Sequence, residues 1–322
     1  MLGGINKMEY RKLIAFGKSS FVVSLPKAWI NKQNLQKGDV IYFNEEDNNL
    51  LLSASAEKKD EHKEIIIEVD GKDIKQIKRE VFGAYIRNYK TITLLGNEIK
   101  IKAKDINSII QRLMALEVME QTSKKIVAKD FLNFDDVSID NIIRKIDIVI
   151  RAMIEDCENM FKEDSYDSIN YRDNDVNKLV FLVFRIVKYG YENPSYMSKR
   201  FNLNTGGLSN FWLMASHLES VADEVKRIAR KLKTIELNNK EQKSYWELLT
   251  QIKDSYLQIM KSYYNMDVDA AHKVINQRES LIEQCEDFYK KNKNVFGIGF
   301  LVDRTKSMII HVCHLGRVLY QG

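Results

Sequence analysis

The chain has 322 residues, of which 44% are apolar and 30% are charged. This length allows two or three domains with a sizeable core, and no run reaches the roughly 18–20 apolar residues that a membrane span requires. The first residues lack the apolar segment of a secretory signal. Three cysteines, an odd number, favour reduced thiols over a disulfide framework. We therefore expect a cytoplasmic protein without membrane insertion.

Positive charge is concentrated at the start of the chain. Residues 1–38 hold seven lysines and arginines against one acid, an excess of six, whereas the whole chain carries a net charge of +5. A local excess of this kind is typical of surfaces that bind the phosphates of nucleic acids. A basic face that meets only water is the alternative that charge alone leaves open.

The first region, residues 8–55, is predicted to consist of short strands joined by turns. Its predicted elements are strands 11–16 and 21–25 around the turn Gly17-Lys18-Ser19-Ser20, a helical turn from Pro26, the turn Lys37-Gly38-Asp39, and a hairpin of strands 40–43 and 50–53. Proline suits the first turn of a helix because its missing N–H is not needed there. The cations fall at turns and the apolar residues in strands, which predicts a basic surface on a small β core.

This region resembles the AbrB/MazE/SpoVT family of swapped-hairpin DNA-binding domains. The matching segments occur in the family's order at 17–20 (GKSS), 22–27 (VVSLPK), Trp29 and 35–39 (LQKGD). The resemblance implies an interleaved homodimer on double-stranded DNA, since a β unit of about 50 residues buries too little core alone. It also implies that the duplex is contacted by the following residues: Arg11, Lys12, Lys18, Ser19, Ser20 and Lys27.

The second region, residues 57–134, is predicted to be a small α/β connector domain. Its predicted elements are strand 64–69, helix 73–89, strand 90–95, helix 105–117 and strand 125–131. The region contains no glycine-rich loop of a nucleotide site, so we expect a connecting or dimerising layer without chemistry. The polar stretch 53–64 is predicted to be the linker that precedes it.

The third region, residues 135–322, has apolar residues at spacings of three and four, which predicts a helical bundle. Three helices are predicted before a break at 237–239, and three after it, over 240–264, 267–291 and 298–320. The two middle helices can be aligned with Arg172 on Arg278, which predicts tandem three-helix bundles. The predicted fold class is therefore α+β.

Two of the predicted helices carry acidic residues at helical spacing. Glu219 and Asp223 are four residues apart on one helix face, and Asp173 lies on the seam of the preceding long helix with Asn177 four residues further on. Antiparallel packing would bring these side chains together, and their oxygen ligands suit Mg, Mn or Fe. Taken alone, the pattern is also typical of a solvated helix face.

The helical region resembles the PhoU family of phosphate-uptake regulators. The resemblance lies in the tandem three-helix units and in the motifs at 172–179 (RDNDVNKL) and 218–223 (LESVAD). It implies a divalent metal bound by Asp173, Glu219 and Asp223, with Asn177 as a neutral ligand. The combination of an AbrB-like head with PhoU-like bundles resembles archaeal phosphate-uptake regulators.

The chain departs from the PhoU pattern in two places. Asn177 replaces a carboxylate of the first site. In the second unit, Lys306 and Ile310 lie where acids are expected, although Glu279 and Glu283 are present. A lysine places positive charge in the site and opposes a cation, so we expect a weakened first site and a degraded second one.

His311 and His314 share a face of the last helix and have the ligand chemistry of zinc. Structural zinc takes four ligands, and no third ligand is evident near them in the sequence. We therefore expect them to be core or interface histidines.

The sequence contains no P-loop, GxGxxG, HExxH or activated nucleophile, so we expect no enzymatic activity. The leading hypothesis is a homodimeric transcriptional regulator that binds DNA through residues 1–56 and responds to phosphate through its helical region. The alternative is a signalling adaptor whose helices contact a phosphate transporter or signalling protein, with the β head serving dimerisation only.

Overall fold

The structure is a computed structural model that describes residues 10–46, 49–54 and 63–321. It divides into two compact units, Met1–Asp60 and Glu61–Gly322. The fold class is α+β, as predicted, with a small β-hairpin head and a mostly helical remainder. Most of the predicted linker 53–64 lies outside the described residues, and the domain boundary after residue 134 stays a prediction.

The head contains two hairpins and one short helix. Its elements are β1 (Ile14–Phe16), β2 (Ser20–Val22), α1 (Lys27–Lys32), β3 (Tyr42–Glu46) and β4 (Asn49–Ser53). β1 pairs with β2 and β3 with β4, both antiparallel. Both predicted hairpins and the helix after Pro26 are confirmed, although β1 and β2 are shorter than the predicted strands.

None of the described hydrophobic side chains of the head is buried. Among the residues that the structure describes, the first buried hydrophobic residue is Ile67, in the second unit. Large apolar side chains are instead exposed, and Leu13, Phe16, Phe21 and Phe43 each have more than 60% of their surface accessible. Apolar exposure of this extent is typical of a surface that another chain covers, because so small a unit cannot build its own core.

The second unit begins with a four-stranded sheet and two helices. They are β5 (Glu64–Glu68), α2 (Ile74–Ile86), β6 (Thr91–Leu95), α3 (Ile99–Ile110), β7 (Leu116–Gln121) and β8 (Lys125–Asp130). The strand order is β5-β6-β8-β7, in which β5 and β6 are parallel and the other pairs antiparallel. The predicted α/β layer is thus present, with one strand more than expected.

The prediction of a helix over 105–117 was wrong at both ends. α3 begins at Ile99, where the alternating letters IKIKAK resemble a strand, and Ile101 is indeed exposed. The buried residues Ile106, Ile109 and Ile110 give the true helical face. The chain then turns through Ala115, whose φ is 59°, and β7 replaces the predicted end of the helix.

Eight helices occupy the described residues from 139 onward. They are α4 (Ile139–Asn159), α5 (Tyr166–Glu192), α6 (Pro194–Phe201), α7 (Thr205–Leu232), α8 (Asn239–Asn265), α9 (Val268–Asn276), α10 (Arg278–Lys291) and α11 (Ile298–Gln321). The predicted break before α8 is confirmed by a capping box, in which Asn238 and Glu241 exchange side-chain and backbone hydrogen bonds. No helix among the described residues is long and apolar enough to cross a membrane.

Two details of the helical region differ from the prediction. The helix predicted over 267–291 is broken at Gln277, whose N–H donates to the Val274 carbonyl at 3.0 Å in a tighter turn. An additional short helix, α6, lies between the second and third long helices, and Pro194 begins it at a position that tolerates proline.

A buried carboxylate joins the first helix of the region to α8. Asp147 on α4 accepts hydrogen bonds from the hydroxyls of Tyr256 and Tyr264 on α8, both at 2.9 Å, and forms a paired contact with Arg151. This acid is satisfied on both oxygens, as a buried charge requires. The contact therefore fixes α4 against α8 through polar geometry as well as through the apolar core that the helices share.

The sheet layer and the helices are joined by a fully buried ion pair. Arg185 on α5 donates to Asp130 of β8 through two parallel bonds, one of 2.7 Å, and neither side chain has exposed surface. The Nε of Arg185 also donates to Asn88 at 2.8 Å, and the guanidinium lies 4.5 Å from the ring centre of Tyr85. Every polar group of the arginine side chain is thus directed at residues of the layer.

We predict that Asp130→Asn lowers the free energy of unfolding of the full chain by roughly 3–5 kcal/mol, because it leaves a buried guanidinium without its counter-charge. Urea denaturation measures the change. The control is Asp287→Asn, which breaks an exposed pair with Lys290 and is expected to change stability by no more than about 0.5 kcal/mol. Equal effects of the two substitutions would show that the buried pair contributes no more to the free energy of unfolding than the exposed pair does.

Candidate nucleic-acid interface and polar clusters of the helical region

The predicted DNA contacts of the head all lie on exposed positions. Arg11 and Lys12 precede β1, Lys18 lies in the β1–β2 turn, and Lys27 begins α1. The turn is closed by Gly17, whose φ of 70° is readily adopted by glycine alone. The geometry thus presents the cation of Lys18 at the tip of a two-stranded ribbon.

The two serines flank that tip. Ser19 is in the turn and Ser20 is the first residue of β2, paired with Phe16. Their exposed hydroxyls have the donor chemistry that positions proteins on phosphate oxygens. A compact set of exposed cations and hydroxyls on a hairpin can contact a nucleic-acid backbone without any bound cofactor.

The predicted turn at 37–39 is also present and has a structural role. The Asp39 carboxylate accepts a hydrogen bond from the backbone N–H of Gln36 at 2.6 Å, and Gly38 has a φ of 100°. Asp39 is therefore engaged in holding its own turn.

In the helical region, α5 and α7 bring the predicted acidic residues together. Asp173 is buried, and Asn177 donates a hydrogen bond to its carboxylate at 3.2 Å. Glu219 and Asp223 lie on the facing side of α7, and burial together with the charges of Asp223 and Asp173 raises the pKa of Glu219. The packing inferred from the sequence is therefore observed.

Lys226, which the sequence reasoning did not single out, lies inside this acidic cluster. Its ammonium donates to the Asp173 carboxylate and lies 3.3 Å from that of Asp223. Burial lowers the pKa of Lys226, but the bonds and charges of Asp173 and Asp223 outweigh it and raise the pKa overall. A protonated lysine thus supplies the positive charge that the sequence assigned to a metal. Its signal was its spacing, three residues after Asp223.

Asp173 and Asp223 differ in their surroundings. Burial raises the pKa of Asp173 despite the ammonium of Lys226. Asp223 also pairs with Arg227, at 2.8 Å. Two cations on α7 therefore already compensate the acids at which Mg, Mn or Fe was predicted, and the metal assignment stays a prediction.

The second predicted site contains a lysine, as its sequence indicated. Lys306 on α11 pairs with Glu286 on α10. Lys306 therefore pairs with a carboxylate other than the predicted Glu279 and Glu283, and this ion pair joins α10 to α11.

His311 and His314 are half-buried on α11, which packs against α7, and the structure brings a third histidine to them that the sequence did not reveal. His217 of α7 has its ring centre 4.9 Å from that of His314 and 6.2 Å from that of His311. Burial, followed by the nearby positive groups, lowers the pKa of His217 to about 4. Residues 217 and 311 are too far apart in sequence for periodicity to connect them.

Comparison with known protein families finds a match in the head. Residues 14–62 match the family model described as "Antidote-toxin recognition MazE, bacterial antitoxin". The head is similar to this family. The match supports the predicted MazE/AbrB-like domain, and it covers less than a sixth of the chain. No curated protein and no solved structure matches the chain.

We predict that Lys226→Met exposes the acidic cluster to cations. Removal of the ammonium leaves Asp173 buried without its partner, which is expected to lower stability by about 2–3 kcal/mol. If the carboxylates can act as metal ligands, Mn²⁺ will raise the melting temperature of this variant more than that of the parent. Thermal melts with Mn²⁺ and after chelation measure the difference.

The control for this experiment is Lys240→Met, which removes an exposed lysine at the start of α8. It is expected to melt like the parent with and without Mn²⁺. If Mn²⁺ does not change the melting temperature of the Lys226→Met variant, these acids form no metal site even when the lysine is absent.

Proposed function

We propose that the protein is a DNA-binding transcriptional regulator that acts as a homodimer and controls phosphate uptake. The observation that carries the DNA-binding part is the exposed cationic hairpin, with Arg11, Lys12 and Lys18, on a head similar to the MazE family. The cations neutralise backbone phosphates, and the release of counterions drives binding. No reaction is part of the proposal.

The exposed apolar surface of the head supports the proposed dimer. Phe16 and Phe21 lie on neighbouring strands, and each is about two-thirds exposed. Covering these rings with a second copy removes apolar area from water at about 25 cal/mol per Å². A symmetric dimer would also present two hairpins to a site with two-fold symmetry.

The phosphate-related part of the proposal rests on the helical region. Two sets of helices follow each other, α4, α5 and α7 and then α8, the α9–α10 pair and α11. This succession supports the resemblance to tandem three-helix units. The acids of the first set cluster as that resemblance implies, with Lys226 among them. We propose that this region senses or relays phosphate status to the head.

We predict that Arg11→Ala combined with Lys18→Ala abolishes duplex binding by the full chain at moderate salt, because each lost phosphate contact removes a favourable and salt-dependent contribution. Gel shifts or fluorescence anisotropy with genomic fragments, at stated salt, measure the affinity. The slope of log K against log salt should become shallower by roughly 0.9 for each lost contact.

The matched control carries Lys32→Ala and Lys37→Ala, which removes the same number of charges from the head outside the first hairpin. This variant is expected to keep most of the affinity. Unchanged binding by the hairpin variant, or equal losses in both variants, would refute the assignment of the hairpin as the DNA contact.

We predict that Phe16→Ser combined with Phe21→Ser converts the dimer to a monomer, because the exposed rings supply apolar contact between copies. Light scattering coupled to gel filtration measures the mass, and the second unit should keep its helical circular dichroism. The matched control is Ile101→Ser, which removes an exposed apolar side chain of α3 and should leave the mass unchanged. A double variant that remains dimeric would place the dimer contact elsewhere.

The family description supports a second candidate function, recognition of a toxin protein by an antitoxin-like head. In that case the chain would bind a protein through the head, and DNA affinity would not by itself account for its activity.

The gel shift described above also distinguishes the DNA-binding regulator from the signalling adaptor. The adaptor requires a transporter or sensor partner on the helices and no DNA affinity in the head.

A further inference from the structure

Three histidines from two helices converge in the helical region. His217 lies near the middle of α7, and His311 and His314 lie one turn apart on α11. One ligand atom from each side chain can be chosen so that all three lie within 4.8 Å of one another. Within the part of the chain that the structure describes, no other set of three histidine, cysteine or acidic side chains brings its ligand atoms so close.

We propose that His217, His311 and His314 bind one Zn²⁺ ion, with a fourth position open to water or another ligand. Imidazole nitrogen is a preferred ligand of Zn²⁺ and a poor one for Mg²⁺. In a tetrahedral site with Zn–N bonds of about 2.0–2.1 Å, the nitrogens lie roughly 3.3 Å apart. Zinc binding would therefore require side-chain rotations that bring the three nitrogens closer together than the observed spacing.

The environment of His311 provides independent support for a bound group. Its Nδ1 atom is buried and makes no hydrogen bond. A buried polar atom without a partner costs free energy, and such an atom in a native fold calls for an explanation. Coordination of a metal ion by this nitrogen would satisfy it directly.

The protonation state of the cluster also suits a metal. Burial is the main cause that lowers the pKa of each of the three imidazoles, and neighbouring cations add to it. The rings are therefore neutral near pH 7 and offer their lone pairs without first losing a proton. All three are only partly buried, so an ion can enter from solvent.

Positive neighbours set the strength and character of the site. Arg317 is close enough to His217 and His314 to contribute to the lowering of both pKa values. A cation there opposes Zn²⁺, so the site is weaker than one whose histidines are backed by carboxylates. The same charge favours an anionic ligand, such as hydroxide or chloride, at the open position.

The three histidines lie at the contact between α7 and α11, so a bound metal ion would affect how these two helices are held together. α7 is the third helix of the first set and α11 is the last helix of the second, and these two helices pack against each other. A Zn²⁺ ion bound between them would cross-link the two sets. The ion would therefore stabilise one arrangement of the helical region, which is the behaviour of a ligand that binds the folded state alone.

The test is a Zn²⁺ titration of the full chain, without a histidine tag and stripped of metal, in competition with a chromophoric chelator. We expect one equivalent per chain and a rise of roughly 5 °C in melting temperature at saturating Zn²⁺. Millimolar Mg²⁺ should not displace it. Co²⁺ in place of Zn²⁺ should give the visible absorption of a tetrahedral or five-coordinate ion.

Single substitutions His217→Ala and His314→Ala should weaken Zn²⁺ binding by roughly tenfold or more, comparable to the losses known for disturbed zinc sites. His272→Ala is the matched control, because His272 is an exposed histidine of α9 stacked on Tyr320. It should bind Zn²⁺ like the parent. His217→Gln and His314→Gln replace the alanine variants if those fail to fold, as judged by circular dichroism without metal.

Three results would overturn the proposal. The first is that the parent chain binds no Zn²⁺ above the background of a triple variant that lacks all three histidines. The second is that the triple variant keeps the full stoichiometry, which would place the ion elsewhere. The third is that Asp173→Asn removes binding while His217→Ala does not, which would assign the ion to the acidic cluster.

Discussion

The buried pair of Arg185 and Asp130 is the constraint on which the second unit depends. A guanidinium without exposed surface is tolerated only where its charge and donors are satisfied, and here a carboxylate, an amide oxygen and an aromatic ring satisfy them. The partners come from the sheet layer and the arginine from α5, so the position of α5 is set by polar geometry. Asp173 belongs to the same helix, three turns earlier, and its approach to α7 follows from that placement.

The two units differ in whether their apolar side chains are buried. The second unit has two apolar clusters of its own, one under the sheet and one among the helices. The head exposes apolar rings beside exposed cations. If a second copy covers the rings, dimerisation and presentation of the cations are a single event, because the strands that carry the rings frame the turn that carries Lys18. DNA affinity would then depend on dimer formation even if the apolar rings and the cations of the turn do not contact each other.

Local patterns predicted the elements well, whereas contacts between distant residues escaped. Alternation and turn residues predicted both hairpins of the head, Pro26 predicted the helical turn, and the break at 237–239 predicted the start of α8. The alternating run before Asp105 concealed the first half of α3, since a partly exposed helix with isoleucines at 99 and 101 has the same letters as a strand. Lys226 and His217 escaped for another reason. The spacing of Lys226 after Asp223 was visible in the sequence, but its contact with Asp173 on α5 was not, and neither was the approach of His217 to α11. Both contacts join residues of different helices, and no periodicity within one helix carries that information.

The polar clusters on α7 also bear on how the helical region responds to its surroundings. An acidic cluster that holds its own ammonium has little electrostatic need for an external cation, because Lys226 already compensates the carboxylates and a metal would have to displace it. Neutral imidazoles make no such internal pair, and one of their nitrogens has no partner. Selectivity therefore follows from ligand type. A signal carried by metal would enter this fold through nitrogen ligands between α7 and α11, while the oxygen cluster between α5 and α7 would serve as a fixed joint.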